Sequence, residues 1–247
     1  MRPCRPEPVP GETGDVLLHR VVVGVLDTNC WLVHATGDRN ALLVDPGDDP
    51  AAVLAAVERH RLDVRAIVLT HAHFDHVLAV PELTAALGVP VLAHPAEAPT
   101  WPGELAHLRE DGHWDAGTAT AELRRTDPTA LLPPARPLWD GATRPVEHGD
   151  QLPFGPLTAT VLHTPGHTPG SITLAVGDHL LTGDTLFPGG PGLTGDRWPG
   201  SDFPTIMDSV DQLMARPDAT LVHPGHGPDT TLGTERPRVP GWRARGW

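Results

Sequence analysis

The sequence predicts an α/β fold, and three observations carry that reading. Short apolar runs alternate with helical stretches between residues 41 and 93. The same layered rhythm returns after residue 157, and ligand-type side chains gather just past the ends of the apolar runs. The 247 residues are 39% hydrophobic and 20% charged, enough for one sizeable core. With 26 glycines and 29 prolines the chain should be folded but rich in loops.

Residues 1–14 hold four prolines and no apolar block, so they are expected to form a flexible N-terminal tail ahead of a single domain over 15–240. Val16–Leu26 and Cys30–Ala35 read as strands parted by the turn chemistry of Asp27-Thr28-Asn29. Ala41–Val44 is a short strand stopped by Asp45-Pro46-Gly47. Pro50 then opens a helix to about His60, with Val53, Leu54 and Val57 at helical spacing. Ala66–Thr70 is an apolar strand of buried type, His76–Leu87 reads as a helix closed by Gly88, and Val89–Ala93 is another strand. Residues 95–150 interrupt this order. Their prolines stiffen the chain without regular structure, and Trp101, Trp114 and Trp139 supply large apolar faces, so much of the segment is expected to fold over a cleft as a lid. Strands follow at Leu157–His163, Ser171–Val176, His179–Thr182 and Thr220–His223, with a helix at Pro204–Ala215.

Composition narrows the function classes. The 18 basic residues, all arginine, against 31 acidic ones leave a net charge of −13, which argues against a nucleic-acid partner. No apolar run approaches the roughly 18 residues needed to span a bilayer, so no membrane association is expected. No export signal is visible and there are two cysteines, Cys4 and Cys30, too few for a disulfide framework; the expected location is the cytoplasm. A small-molecule substrate remains, and the oligomeric state is left open.

The sharpest signal is Thr70-His71-Ala72-His73-Phe74-Asp75-His76, which leaves the end of an apolar strand and enters a helix. In an extended loop alternate residues point the same way, so His71 and His73 can converge on one point. Asp75 and His76 sit where the chain turns, and can diverge toward a second point nearby. A polar helix entrance would not need four ligand-type residues in six positions. Three further candidates follow apolar strands: His167 in a Pro-Gly-flanked turn, Asp184 in Thr182-Gly183-Asp184-Thr185, and His226 in His223-Pro224-Gly225-His226-Gly227. Strand ends are where α/β sheets carry their sites. The remaining ten histidines lack such spacing, and surface or packing roles are expected of them.

These residues, with Asp45 in Val44-Asp45-Pro46-Gly47 and the stretch Pro224–Arg236, resemble the metallo-β-lactamase-fold hydrolases, in particular the glyoxalase II-like branch in its short bacterial form. The resemblance covers about residues 16–240 apart from 95–150. It implies a four-layer αββα sandwich with a metal pair at the open edge between two sheets. Position by position, it places one metal on His71, His73 and His167 and a second on Asp75, His76 and His226, with Asp184 bridging both. Asp45 would orient ligands without touching a metal. Imidazole and carboxylate ligands make zinc the default for both ions, with iron or manganese as alternatives. The implied reaction is hydrolysis of a thioester or related ester, in which a metal-bridging hydroxide attacks the carbonyl and Asp75 orients it and takes up its proton. With only residues 227–247 after His226, the helical domain that binds glutathione in long glyoxalase II enzymes is not expected. The rival from another class is a persulfide dioxygenase, an oxidoreductase that shares these motifs but uses one iron held by two histidines and an aspartate.

Overall fold

The computed structural model describes residues 15–104, 139–141, 143–195 and 200–246. Two six-stranded sheets face each other. The first runs in order β1 (Val16–Val23), β2 (Thr28–Ala35), β3 (Asn40–Val44), β4 (Asp63–Val68), β5 (Val91–Ala93) and β6 (Arg144–Pro145). Its first three strands are antiparallel and its last four, from β3 on, are parallel. The second has β7 (Gln151–Phe154), β8 (Leu157–His163), β9 (Ile172–Val176) and β10 (His179–Gly183) as neighbours in sequence order. A hairpin, β11 (Leu186–Phe187) with β12 (Gly190–Pro191), follows β10. Beyond it, β13 (Leu221–Pro224) pairs parallel with β10, and β14 (Thr230–Thr231) closes the edge.

Side-chain alternation along the strands builds the layers. In β2, Cys30 and Leu32 join the cluster that includes Val53 and Val57 of α1 (Pro50–His60), whereas Trp31, Val33 and Ala35 point the other way. There they meet Val161 of β8 and Leu174 of β9 in the layer between the sheets. On the far side, Leu162, Leu180 and Val222 pack against Ile206, Val210 and Leu213 of a long helix, Phe203–Met214. The period of two in each strand thus serves two apolar layers, and the result is the four-layer αββα sandwich.

Most expected elements are present, with two informative shifts. The first reversal spans residues 24–27, so Thr28 and Asn29 belong to β2 and not to the turn. The single helix expected over 76–87 is two: α2 (Phe74–Val77) and α3 (Val80–Leu87). Pro81 is the cause, because it cannot donate to the Val77 carbonyl and its ring crowds that position. The helix therefore stops and restarts with proline in its first turn. Asp49 caps α1 by accepting from the Ala52 amide, and the long helix Phe203–Met214, here α4, is capped in the same way by Asp202. Two short C-terminal helices complete the chain, α5 (Leu232–Glu235) and α6 (Val239–Arg245). The tail 1–14 and residues 105–138, most of the expected lid, lie outside the described residues. Within the described part of that segment Trp101 and Trp139 are both buried, and the Trp101 indole donates to the Trp139 carbonyl at 2.8 Å. Among the described residues no helix is long and apolar enough to cross a membrane.

Candidate metal centre

Five chain segments end at one edge of the sandwich. β3 delivers Asp45, β4 delivers the 70–76 loop, and the turn after β8 delivers His167. β10 delivers Asp184 and β13 delivers His226. The sheets are stitched together there by backbone: the Asn29 amide donates to the Gly225 carbonyl (2.7 Å), and the Ile172 amide to that of Thr70 (2.8 Å). All seven candidate ligands converge on this edge.

They gather as two clusters. In the first, the rings of His71, His73 and His167 stand 4.6–4.9 Å apart, centroid to centroid, and steeply inclined to one another. His73 Nδ1 faces His167 Nε2 at 3.0 Å. In the second, His226 Nε2 lies 3.1 Å from Asp75 Oδ2 and 3.3 Å from His76 Nε2. Asp184 stands between them: Oδ2 is 3.6 Å from His167 Nε2 and 3.7 Å from His226 Nε2, while Oδ1 is 3.5 Å from His76 Nε2. Gly225 makes this crowding feasible, since a Cβ there would fall 2.2 Å from Asp184 Oδ1 and 2.8 Å from the His76 ring.

Outer hydrogen bonds decide which ring nitrogen is offered. A nitrogen opposite a carbonyl or carboxylate carries a proton, and in a neutral ring the other then keeps its lone pair. His167 Nδ1 donates to the Leu193 carbonyl (2.7 Å) and His226 Nδ1 to that of Leu26 (2.9 Å). His76 Nδ1 donates to Asp45 Oδ2 (3.0 Å). Asp45 also accepts the Thr70 amide (2.7 Å) and hydroxyl (2.6 Å), and the spent hydroxyl in turn accepts His71 Nδ1 (3.1 Å). Asp45 therefore orients a ring in each cluster, one directly and one through Thr70. It does so from a left-handed backbone conformation (φ 51°), uncommon outside glycine and costing about 1–3 kcal/mol.

Two buried atoms here have no hydrogen-bond partner, His71 Nε2 and Asp184 Oδ1. Buried polar atoms are rarely left so, and a lone-pair nitrogen and a carboxylate oxygen both call for a cation. The donor set fits a pair of transition-metal ions: histidine and aspartate groups of the size and spacing to hold a metal occur as His71–His73–His167 and Asp75–His76–His226. A third such group, Asp45–His71–His76, has its carboxylate already spent on Thr70 and His76.

Protonation separates the clusters. Burial pulls His71 well below the ordinary imidazole value, and it takes His73 and His167 down to about 4. Burial also opposes charge on His76 and His226. For His76, Asp75, Asp184 and Asp45 outweigh it and raise the ring to about 9; for His226, Asp184 and Asp75 raise it to about 10. Burial acts against Asp75 as well, yet His76 and His226 hold its carboxyl far below the usual carboxylate range.

The sequence profile of the metallo-beta-lactamase superfamily matches residues 23–226. The chain belongs to that superfamily. It is 34% identical over 224 residues to a probable metallo-hydrolase, YqgX, of Bacillus subtilis, spanning 90% of this chain and 95% of that one. It is 28% identical over 222 residues to the hydroxyacylglutathione hydrolase GloC of Haemophilus influenzae, with 87% and 93% covered. The crystal structure of TTHA1623 in a di-iron-bound form superposes with a TM-score of 0.68 at 37% identity, over 88% of this chain and 96% of the other.

Three contributors stand outside the set that the sequence pattern marks. Thr70 enters that pattern only as the first residue of a motif. Thr28 reads as a turn residue, although its hydroxyl donates to Asp75 Oδ2 (3.0 Å), and Glu97 carries no signal at all. Thr70 adjoins the ligands, and that adjacency is a usable clue. Thr28 and Glu97 reach the 72–75 loop across 47 and 25 positions, and no local pattern marks them. Several of the other described histidines form stacked pairs, such as His19–His60 and His94–His163.

Proposed function

We propose that the protein is a dinuclear metal-dependent hydrolase acting on a thioester or related ester, with zinc as its default metal. The observation that carries the reading is Asp184, placed within 3.5–3.7 Å of ring nitrogens from both clusters and with one buried oxygen unpartnered. His71, His73 and His167 would hold one ion, Asp75, His76 and His226 the other, and Asp184 both. Such a pair supplies a water of near-neutral pKa and polarises the carbonyl under attack. The chain's own residues do the rest. Asp75 is the catalytic carboxylate: fixed by the Thr28 hydroxyl beside His76 and His226, it orients the water and takes up its proton. Asp45 keeps His76 and His71 aimed. The thioester class is supported by the similarity to a hydroxyacylglutathione hydrolase, since a hydroxyacylglutathione is itself a thioester.

Elemental analysis of protein purified without added metal, run beside a panel of thioesters and oxygen esters, tests this. Close to two ions per chain, mainly zinc, with turnover of a thioester supports it. One tightly bound iron, an empty second cluster and oxygen-dependent turnover of a persulfide would replace it with the mononuclear dioxygenase.

A further inference from the structure

Glu97 takes no part in the proposed chemistry, yet among the described residues it is one of the most heavily hydrogen-bonded side chains. It closes the single turn Pro95–Glu97 that follows β5, and only 3% of it is exposed. Its Oε2 accepts the amide of Ala72 (2.8 Å), the residue between His71 and His73. Its Oε1 accepts the Thr168 hydroxyl (2.5 Å) and the Gly170 amide (2.7 Å), just beyond His167. One carboxylate thus grips two loops that approach from different sheets and carry the three imidazoles of the first cluster.

We propose that Glu97 is a positioning residue for that cluster, setting the separation of the His71–His73 loop from the His167 loop to the span of one shared ion. The inference rests on the dinuclear metal reading, and the geometry explains why a carboxylate is needed. Every partner is a donor, so the group at position 97 must accept at both ends, which only an ionised carboxylate does completely. A carboxylate buried in this way is costly unless its bonds are all made, so the residue is poorly explained as filler. The neighbouring backbone is shaped around it. A Cβ at position 170 would sit 2.6 Å from the Glu97 nitrogen and 2.7 Å from Oε1, so glycine is what lets the second loop approach. Thr168 is held in turn by Ser171, whose hydroxyl lies 2.7 Å from its own, so the clamp on the His167 side is rigid. The bonds bridge 25, 71 and 73 positions, so they can hold the cluster's shape only once the two sheets have met.

Glu97→Gln keeps size and shape but turns one acceptor into an amide that must face an N–H or hydroxyl donor. The first ion should bind about 10- to 100-fold more weakly, the range found when outer partners of metal ligands are removed. Zinc affinity, read by competition with a chromophoric chelator, and the visible absorption of the cobalt-substituted protein report this directly, with Tm checking the fold. A folded Glu97→Gln protein with wild-type zinc affinity and an unaltered cobalt spectrum overturns the proposal. Should that variant fail to fold, Thr168→Val and Thr168→Ser decide. Weakened first-ion binding in the valine form and retention in the serine form support the clamp, and equal affinity in both overturns it. Wild-type protein that takes up no metal is a separate result, and it removes the metal reading itself.

Discussion

The two candidate ligand clusters lie side by side on either side of Asp184, yet the protonation of their rings is set in opposite ways. His71, His73 and His167 are a set of imidazoles whose charge is suppressed by burial, so at neutral pH their lone pairs are free. Asp75, His76 and His226 mix carboxylate with imidazole, and the carboxylates hold protons on both rings up to about pH 9 and 10. The first cluster can receive an ion with little exchange of protons. In the second, the metal-free protein keeps protons where the ion's charge would go, and an entering ion must displace them. Desolvation governs one and charge pairing the other, within a few ångströms.

The largest effect should come from removing what the clusters share. Asp184→Asn is expected to weaken both ions together and to lower kcat/KM by more than the roughly 10- to 100-fold that outer partners of ligands cost. Elemental analysis showing one ion lost and the other held at wild-type affinity would refute the bridge. Asp75→Ala separates the clusters instead. Most of the turnover should vanish while the first ion stays bound, and near wild-type kcat in that variant would remove the catalytic role from Asp75. Asp45→Asn touches one ring in each cluster, so both affinities should fall by about 10- to 100-fold, as chelator competition would show; a fall confined to the second ion would mean that the Thr70 relay to His71 carries nothing.

The smallest effect concerns the metal-free protein. Rings with lowered folded pKa values contribute stability that is complete above the ordinary imidazole value of 6.5 and is lost as pH falls toward about 4. Rings with raised values contribute stability that is complete below 6.5 and is lost as pH rises through about 9 to 10. The two clusters therefore place the Tm maximum of metal-free protein near pH 6.5, with a decline on either side. Differential scanning calorimetry across pH 4–10 checks this, and a Tm that climbs steadily from pH 6.5 to 9 would contradict the assignment of the second cluster.

Much of the fold and of the candidate metal centre is legible in the amino-acid sequence. The alternation of apolar strands with helices, the ligand-rich run 71–76 and the strand-end positions of His167, Asp184 and His226 are local features. Strand period, turn chemistry and helix capping act over a few residues, so sequence alone determined the α/β class and the seven ligand candidates. The break between α2 and α3 is local as well, since Pro81 alone dictates it. What only the tertiary structure decided was arrangement: that Asp45 serves both clusters through Thr70, that Thr28 steadies Asp75, and that Glu97 ties Ala72 to Thr168 and Gly170. The protonation of each ring was settled there too. Identical imidazoles end near 4 or near 10 according to burial and the carboxylates beside them. Both depend on which distant strands end at the same edge, and that is a property of the assembled sheets.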